Sequence, residues 1–427
     1  MTDARRLAAD VLTQVEQRRV FADAALGRAL ARGELSEEDR ALATLLVYGV
    51  LAWQLRLDHT IDAYARRSRL DARIRIALRL GLFQLAFLDR VPPYAAVDTS
   101  VELVRSFAPH AAGFTNALLR RAAREGLAEL PPGEPEHTAV AVSHPAWLVE
   151  MWRRELGEEE ARALMEADNR SSPTVLRALL PRTQAIASLR AHGLDAVEAR
   201  FAPDAIVCAA PSGLSGVAIP QGEASQLVAL FAGARAGQSV LDACAAPGGK
   251  TAYLSSLVNG SGRVLAVDSG RNARGRIEAT CRAAGCRNVD VRESSIETAR
   301  DAGEFDVVFA DAPCSGLGTL REHPEIRWRR SLDDIHELAA RQGAILGAAA
   351  EHVRPGGVLV YATCTISRAE NDAVADAFLE THGDFREDGD DTHPAVRGFL
   401  DGRGRLRTWP HRHDMGGFFA ARMQRIR

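Results

Sequence analysis

The sequence predicts a multidomain chain: an all-α N-terminal domain, a small α/β linker module, and a C-terminal α/β domain built on a mostly parallel sheet. Three observations carry this. At 427 residues the chain is too long for one hydrophobic core. Its first part repeats apolar residues at helical spacing. From about residue 225 short apolar strands alternate with helical segments. The predicted domains are 1–130, 131–224 and 225–427.

Residues 4–126 read as helix throughout. Leu7, Val11, Leu12 and Val15 form one stripe, Ala41, Leu45, Tyr48 and Leu51 a second, and Ile76, Leu80, Phe83 and Phe87 a third. Ser36-Glu37-Glu38-Asp39 has the composition of a capped helix start. Val91-Pro92-Pro93 interrupts the pattern, and Val97, Val101 and Val104 resume it. The arginines Arg66, Arg67, Arg69, Arg73, Arg75 and Arg79 read as a solvated helix face, in preference to a phosphate-facing strip. Leu130-Pro131-Pro132-Gly133-Glu134-Pro135 is a linker by composition. One helical stretch is expected over 144–167, and a small α/β module over 174–220.

The C-terminal strand candidates are 239–243, 263–267, 289–292, 306–310 and 357–362, with a last strand near Gly416-Gly417-Phe418-Phe419-Ala420. Segments 251–258 and 332–352 read as helices between them. Parallel strands end on one edge of the sheet, where open α/β folds bind ligands. The first strand runs into Ala245-Ala246-Pro247-Gly248-Gly249-Lys250, a turn whose glycines let backbone N–H groups approach a nucleotide. Asp268 closes the next strand, where a carboxylate accepts ribose hydroxyls. The rival is a phosphate-binding NTPase loop. Cys244 to Thr251 fits that pattern except at Cys244, where glycine is required, and Pro247 stiffens the turn.

Composition excludes several classes. Hydrophobic content of 46% and charged content of 26% describe a soluble protein, and no apolar run is long enough to span a bilayer. Six cysteines without a C-x-x-C pair make neither a disulfide framework nor a zinc site, so a cytoplasmic chain is expected. A net charge of −3 confines any nucleic-acid surface to a local patch. Of 53 basic residues only Lys250 is lysine, and it lies in the glycine loop.

Cys208, Cys281 and Cys286 read as small buried hydrophobes. Cys314, in Asp311-Ala312-Pro313-Cys314, and Cys364, in Thr363-Cys364, differ because each ends a strand at the ligand edge. Two thiols and an acid beside a methyl donor suit one chemistry. C5 of a pyrimidine is a poor nucleophile until a thiolate adds at C6. Asp311 would assist that addition at N3 of cytosine. A second thiol would assist the later elimination, and the base must leave its stack to be reached.

Three segments resemble the RNA cytosine-5 methyltransferase family: Asp242-Ala243-Cys244-Ala245-Ala246-Pro247-Gly248-Gly249-Lys250-Thr251, Asp311-Ala312-Pro313-Cys314-Ser315 and Tyr361-Ala362-Thr363-Cys364-Thr365. Pro410-His411 with Gly416-Gly417-Phe418-Phe419 resembles that family's C-terminal motif. The resemblance implies a Rossmann-like class I methyltransferase domain using S-adenosylmethionine, with Cys364 as nucleophile and Cys314 aiding release. It implies that Cys244, Ala245, Ala246, Pro247, Gly248, Gly249, Lys250, Asp268 and Asp311 line the cofactor and base pocket. Ser295 stands where the family has an aspartate near the adenine, which implies weaker cofactor contacts without loss of activity.

Val91-Pro92-Pro93-Tyr94, Val101-Glu102-Leu103 and Phe114-Thr115-Asn116-Ala117-Leu118-Leu119-Arg120 resemble the NusB-type RNA-binding fold. The combination implies a monomer that methylates a cytosine of bacterial 16S ribosomal RNA. Residues 321–330, rich in arginine around Trp328, read as an RNA-facing loop. The alternative from another class is a non-catalytic RNA-binding assembly factor. A P-loop-type NTPase stands third.

Overall fold

The computed structural model describes residues 4–32, 35–65, 70–208, 214–389 and 391–426. It divides into two compact units. One comprises Met1–Ser171 with Leu320–Arg329, the other Ser172–Thr319 with Arg330–Arg427.

The first unit is helical. Its helices include Ala4–Arg18, Ala22–Arg32, Glu37–Ala52, Gln54–Ala65, Ala72–Phe87, Pro93–Arg105 and Ala112–Glu125. Their stripes meet in one core containing Leu12, Leu46, Leu51, Leu57, Phe83 and Leu119. Ser36 caps the third helix by accepting from the Asp39 amide. Gly49 is required there, because a Cβ would lie 2.0 Å from the Phe83 ring. Pro93 opens its helix at a position where the missing N–H costs nothing. The single helical stretch expected over 144–167 is two helices, Ala146–Leu156 and Glu158–Asp168. They part at Gly157, whose φ of 84° only glycine adopts readily.

Two further expectations are corrected in this unit. Among the described arginines of the strip only Arg73 is exposed, so these do not form a solvated face. Arg75 bonds Asp58 and Asp62, buried Arg79 is held by Asp58 and Glu16, and Arg73 lies over the Phe107 ring. Arg66, Arg67 and Arg69 lie outside the described residues. Nor is 321–330 an RNA-facing loop: half of its residues are buried, none is exposed, and the side chains of Glu325, Arg327, Trp328 and Arg329 are spent on the helical unit. Trp328 donates to Leu51 O (2.8 Å), and the buried Arg327 donates to Ala52 O, Ser143 O, Asp168 O and the Asn169 side chain. Arg329 donates to Val15 O and Val20 O. Glu325 accepts from the Ala22 amide at 2.8 Å, at the start of a helix. Helix termini leave carbonyls and amides without intrahelical partners, and these side chains satisfy them.

The second unit opens with β1 (Val175–Ala178), β2 (Ala196–Glu198), β3 (Ala205–Cys208) and β4 (Ala218–Pro220), an antiparallel sheet in the order β2-β3-β1-β4. The larger sheet follows: β5 (Ser239–Asp242), β6 (Arg263–Val267), β7 (Val289–Arg292), β8 (Phe305–Asp311), β9 (Val353–Thr363), β10 (Phe385–Glu387), β11 (Leu406–Arg407) and β12 (Phe419–Arg425). Its order is β10-β12-β9-β8-β5-β6-β7, with β11 on β12. Strands β5 to β9 are parallel, and β12 returns antiparallel beside β9. Helices Gly249–Val258 and Leu332–Ala350 connect the parallel strands. Apolar cores lie on both faces, one around Leu227, Phe231 and Phe309, the other around Leu346, Leu359 and Phe419.

Candidate active site

The parallel register aligns the strand ends. Asp242 pairs with Phe309, and Asp311 pairs with Ala362. Glycine loop, Asp311, Cys314 and Cys364 therefore leave the sheet on one edge. The loops bend back so that Cys314 Sγ and Cys364 Sγ stand 3.2 Å apart. Sharing a hydrogen bond with Cys364 and being desolvated, Cys314 has its pKa pushed well above the usual thiol value and keeps its proton.

Lys250 reaches from the glycine loop to Asp311, Nζ to Oδ2 at 2.6 Å, and sits 5.2 Å from the centre of the Phe418 ring. Burial alone would lower its pKa. The attraction and hydrogen bond of Asp311 outweigh this, so Lys250 is held charged. Phe418 arrives because β12 pairs with β9, Phe419 opposite Thr363. Gly318 makes the approach possible: its N–H donates to Cys364 O and its carbonyl accepts from Gly417.

The turn at 245–250 fits a nucleoside cofactor. Gly248 has φ of 104°, and a Cβ there would press to 3.0 Å on the Ile277 backbone. Asp268 accepts from the Ala246 amide at 2.9 Å and the Gly270 amide at 2.7 Å, which fixes its carboxylate at the end of β6. A carboxylate so held retains lone pairs for ribose hydroxyls. Asp242 is buried, and desolvation raises its pKa to about 7. Its Oδ2 accepts from Thr251 Oγ1 (2.6 Å), while Oδ1 has no hydrogen-bond partner among the described residues. The NTPase reading fails on the same contacts. Thr251 is fully buried on Asp242 and Lys250 is bound to Asp311, so neither addresses a phosphate.

Cys244 is half-buried, and desolvation raises its pKa well above the usual thiol value. It packs against the apolar core on one face of the sheet. Ser295 lies beyond β7 and is paired with Thr298 Oγ1 at 3.2 Å. Cys208 and Cys281 are buried as expected, whereas Cys286 is only half-buried. Asp242, Gln342, Glu370 and Asn371 also build the site, and the sequence reading did not single them out. Asp242 carried the same signal as Asp268, an acid closing an apolar strand. Glu370 and Asn371 precede the helix Asp372–Thr381 with no strand-end or turn signal to mark them.

Comparison with known proteins follows the same division. Residues 229–424 match the family described as 16S rRNA methyltransferase RsmB/F. Residues 2–124 match the NusB family, and 144–214 match the ferredoxin-like domain described for RsmF/B-like methyltransferases. The probable ribosomal RNA small subunit methyltransferase B of Bacillus subtilis is 31% identical, with 99% of each chain covered. Ribosomal RNA small subunit methyltransferase B of Pseudomonas syringae pv. tomato is 35% identical over 90% of this chain and 88% of its own. The crystal structure of PH0851 superposes with a TM-score of 0.85 at 26% identity, covering 99% of this chain and 98% of that one.

Proposed function

This chain belongs to the 16S rRNA methyltransferase RsmB/F family, and from that premise we propose that it methylates C5 of a cytosine through a covalent bond to Cys364. The reaction class is S-adenosylmethionine-dependent methylation of small-subunit ribosomal RNA. S-adenosylmethionine supplies an electrophilic methyl group, and the turn at 245–250 with Asp242 and Asp268 would hold it. The observation that supports the cysteine chemistry is the 3.2 Å between the two sulfurs, beside the Lys250–Asp311 pair.

In this reading the Cys364 thiolate adds to C6 of the flipped base. Asp311 addresses N3, and Lys250 keeps a proton within that pair. Addition makes C5 electron-rich enough to take the methyl group. A base then takes the C5 proton, the electron pair of that C–H bond reforms the ring double bond, and the C6–S bond breaks with its electrons returning to the Cys364 sulfur. Cys314, which holds its proton beside Cys364, assists release of the sulfur. Residues 1–130 and 131–224 serve as RNA-docking modules, and the protein acts as a cytoplasmic monomer.

The test separates the two cysteines. Cys314→Ala should still form the adduct but slow release roughly 10²-fold or more, leaving an RNA–protein species that survives denaturing gels. Cys364→Ala should give neither adduct nor product. The reverse pattern would exchange the roles. Labelled methyl transfer to purified small-subunit RNA excludes a purely RNA-binding factor, which would leave the RNA unlabelled.

A further inference from the structure

Behind the two sulfurs lies a buried acid that touches neither of them. Glu370 has 0% of its surface exposed. Its Oε1 accepts from the Ser315 amide (2.7 Å) and from Gln342 Nε2 (3.0 Å), and its Oε2 accepts from Ser315 Oγ (2.5 Å). Its own carbonyl accepts from Tyr361 OH at 2.5 Å. The same Gln342 amide also donates to Pro313 O (2.9 Å), and Arg330 donates to Ser315 O (3.0 Å). The backbone on either side of Cys314 is therefore gripped from several directions.

The grip extends to the other cysteine. Ser315 Oγ is 2.8 Å from Thr365 Oγ1, next to Cys364. Asn371, adjacent to Glu370, accepts from Thr363 Oγ1 at 2.6 Å and donates to Thr365 O at 3.0 Å. Glu370 itself belongs to the loop that follows β9 and carries Cys364, so it ties its own loop to the one that follows β8. A buried carboxylate is costly unless fully hydrogen-bonded, and both oxygens here are used on residues that flank a cysteine or brace its loop.

We infer that Glu370 is a positioning residue: it fixes the Cys314 and Cys364 loops against each other so that both sulfurs reach one base. The inference rests on the two-cysteine reading for its role in the reaction, but the geometric part can be measured without RNA or cofactor. Mild treatment with oxidised glutathione should join Cys314 to Cys364. Two protein thiols become one disulfide, and the glutathione disulfide is reduced to two thiols. Peptide mapping by mass spectrometry gives the rate. Reaction between held groups depends steeply on their placement, so Glu370→Ala should form this link about 10-fold to 100-fold more slowly. Glu370→Gln keeps an acceptor for the Ser315 amide and should restore most of the rate. Methyl transfer should fall in the same order, in kcat and not in the KM for cofactor.

A folded Glu370→Ala protein that links its cysteines at the wild-type rate would overturn the inference. If Glu370→Ala does not fold, Ser315→Ala removes one Glu370 contact and the bridge to Thr365. It should slow the link severalfold, and a wild-type rate there would be equally fatal. Slow linkage with undiminished methyl transfer would leave Glu370 as the positioning group and instead defeat the two-cysteine chemistry.

Discussion

In the proposed reading, where Asp242 helps to hold S-adenosylmethionine, this one residue makes cofactor binding depend on pH. Burial raises its pKa to about 7, far above the ordinary carboxylate range, so below that value the carboxyl is largely neutral. S-adenosylmethionine carries an ammonium that favours the ionised form. Affinity should therefore rise with pH, up to about tenfold from about pH 6 to about pH 8. Calorimetry with the unreactive demethylated cofactor reads this directly, and Asp242→Asn should flatten the profile. The linked stability effect has the opposite sign. A raised acid stabilises the fold while protonated, so the cofactor-free protein should lose stability as pH climbs through about 7. The sequence marked Asp268, Asp311, Cys314 and Cys364 because each stands at a strand end beside a distinctive turn. Glu370 escaped because its importance lies in burial and in partners distant along the chain, Ser315 and Gln342, whereas Asp242 carried the strand-end signal of Asp268 and was passed over.

At the scale of elements, β5 to β9 and β12 were legible as short apolar runs bounded by turn residues, whereas the short β10 and β11 were not foreseen. The helix break at Gly157 was missed because apolar periodicity continues across it. The return of β12 was legible in Gly416-Gly417-Phe418-Phe419, but its consequence was not. That strand brings Gly417 onto Gly318, in the loop carrying Cys314. A Cβ at Gly318 would stand 1.8 Å from Gly417 O and 2.9 Å from Cys364 O. Gly318→Ala must therefore displace the backbone of one loop. It should cost about 1–3 kcal/mol and most of the methyl transfer. Gly343→Ala is the control, since it lies within Leu332–Ala350 with nothing within 4 Å of the added carbon. It should leave activity intact and raise stability by up to about 1 kcal/mol through helix propensity. Thermal unfolding and labelled methyl transfer on both variants separate close approach from a general aversion to side chains.

For the whole molecule, chain order and spatial order differ at one place. Leu320–Arg329 is embedded in the catalytic half of the sequence yet belongs to the helical unit. Composition misread it because arginines around a tryptophan look alike whether they face RNA or cap helices. What distinguishes the cases is the acceptor, and here the acceptors are backbone carbonyls at or near helix ends: Val15, Leu51, Ala52 and Asp168. Arg327 is fully buried among them, and Asp168 beside it is raised by burial to about 8. Arg327→Ala would strip several charged hydrogen bonds from orphan carbonyls and remove the cation that favours ionised Asp168. The helical unit should lose roughly 2–4 kcal/mol. Hydrogen exchange on the full chain locates the loss. Protection should fall in the last turns of Glu37–Ala52 and Glu158–Asp168, whose carbonyls Arg327 holds, while amides of β5, β8 and β9 keep theirs. Arg330→Ala, one boundary further on, donates to Ser315 O and should leave those helices unchanged. Equal loss of protection in the strands after Arg327→Ala would mean that the segment does not serve the helical unit alone.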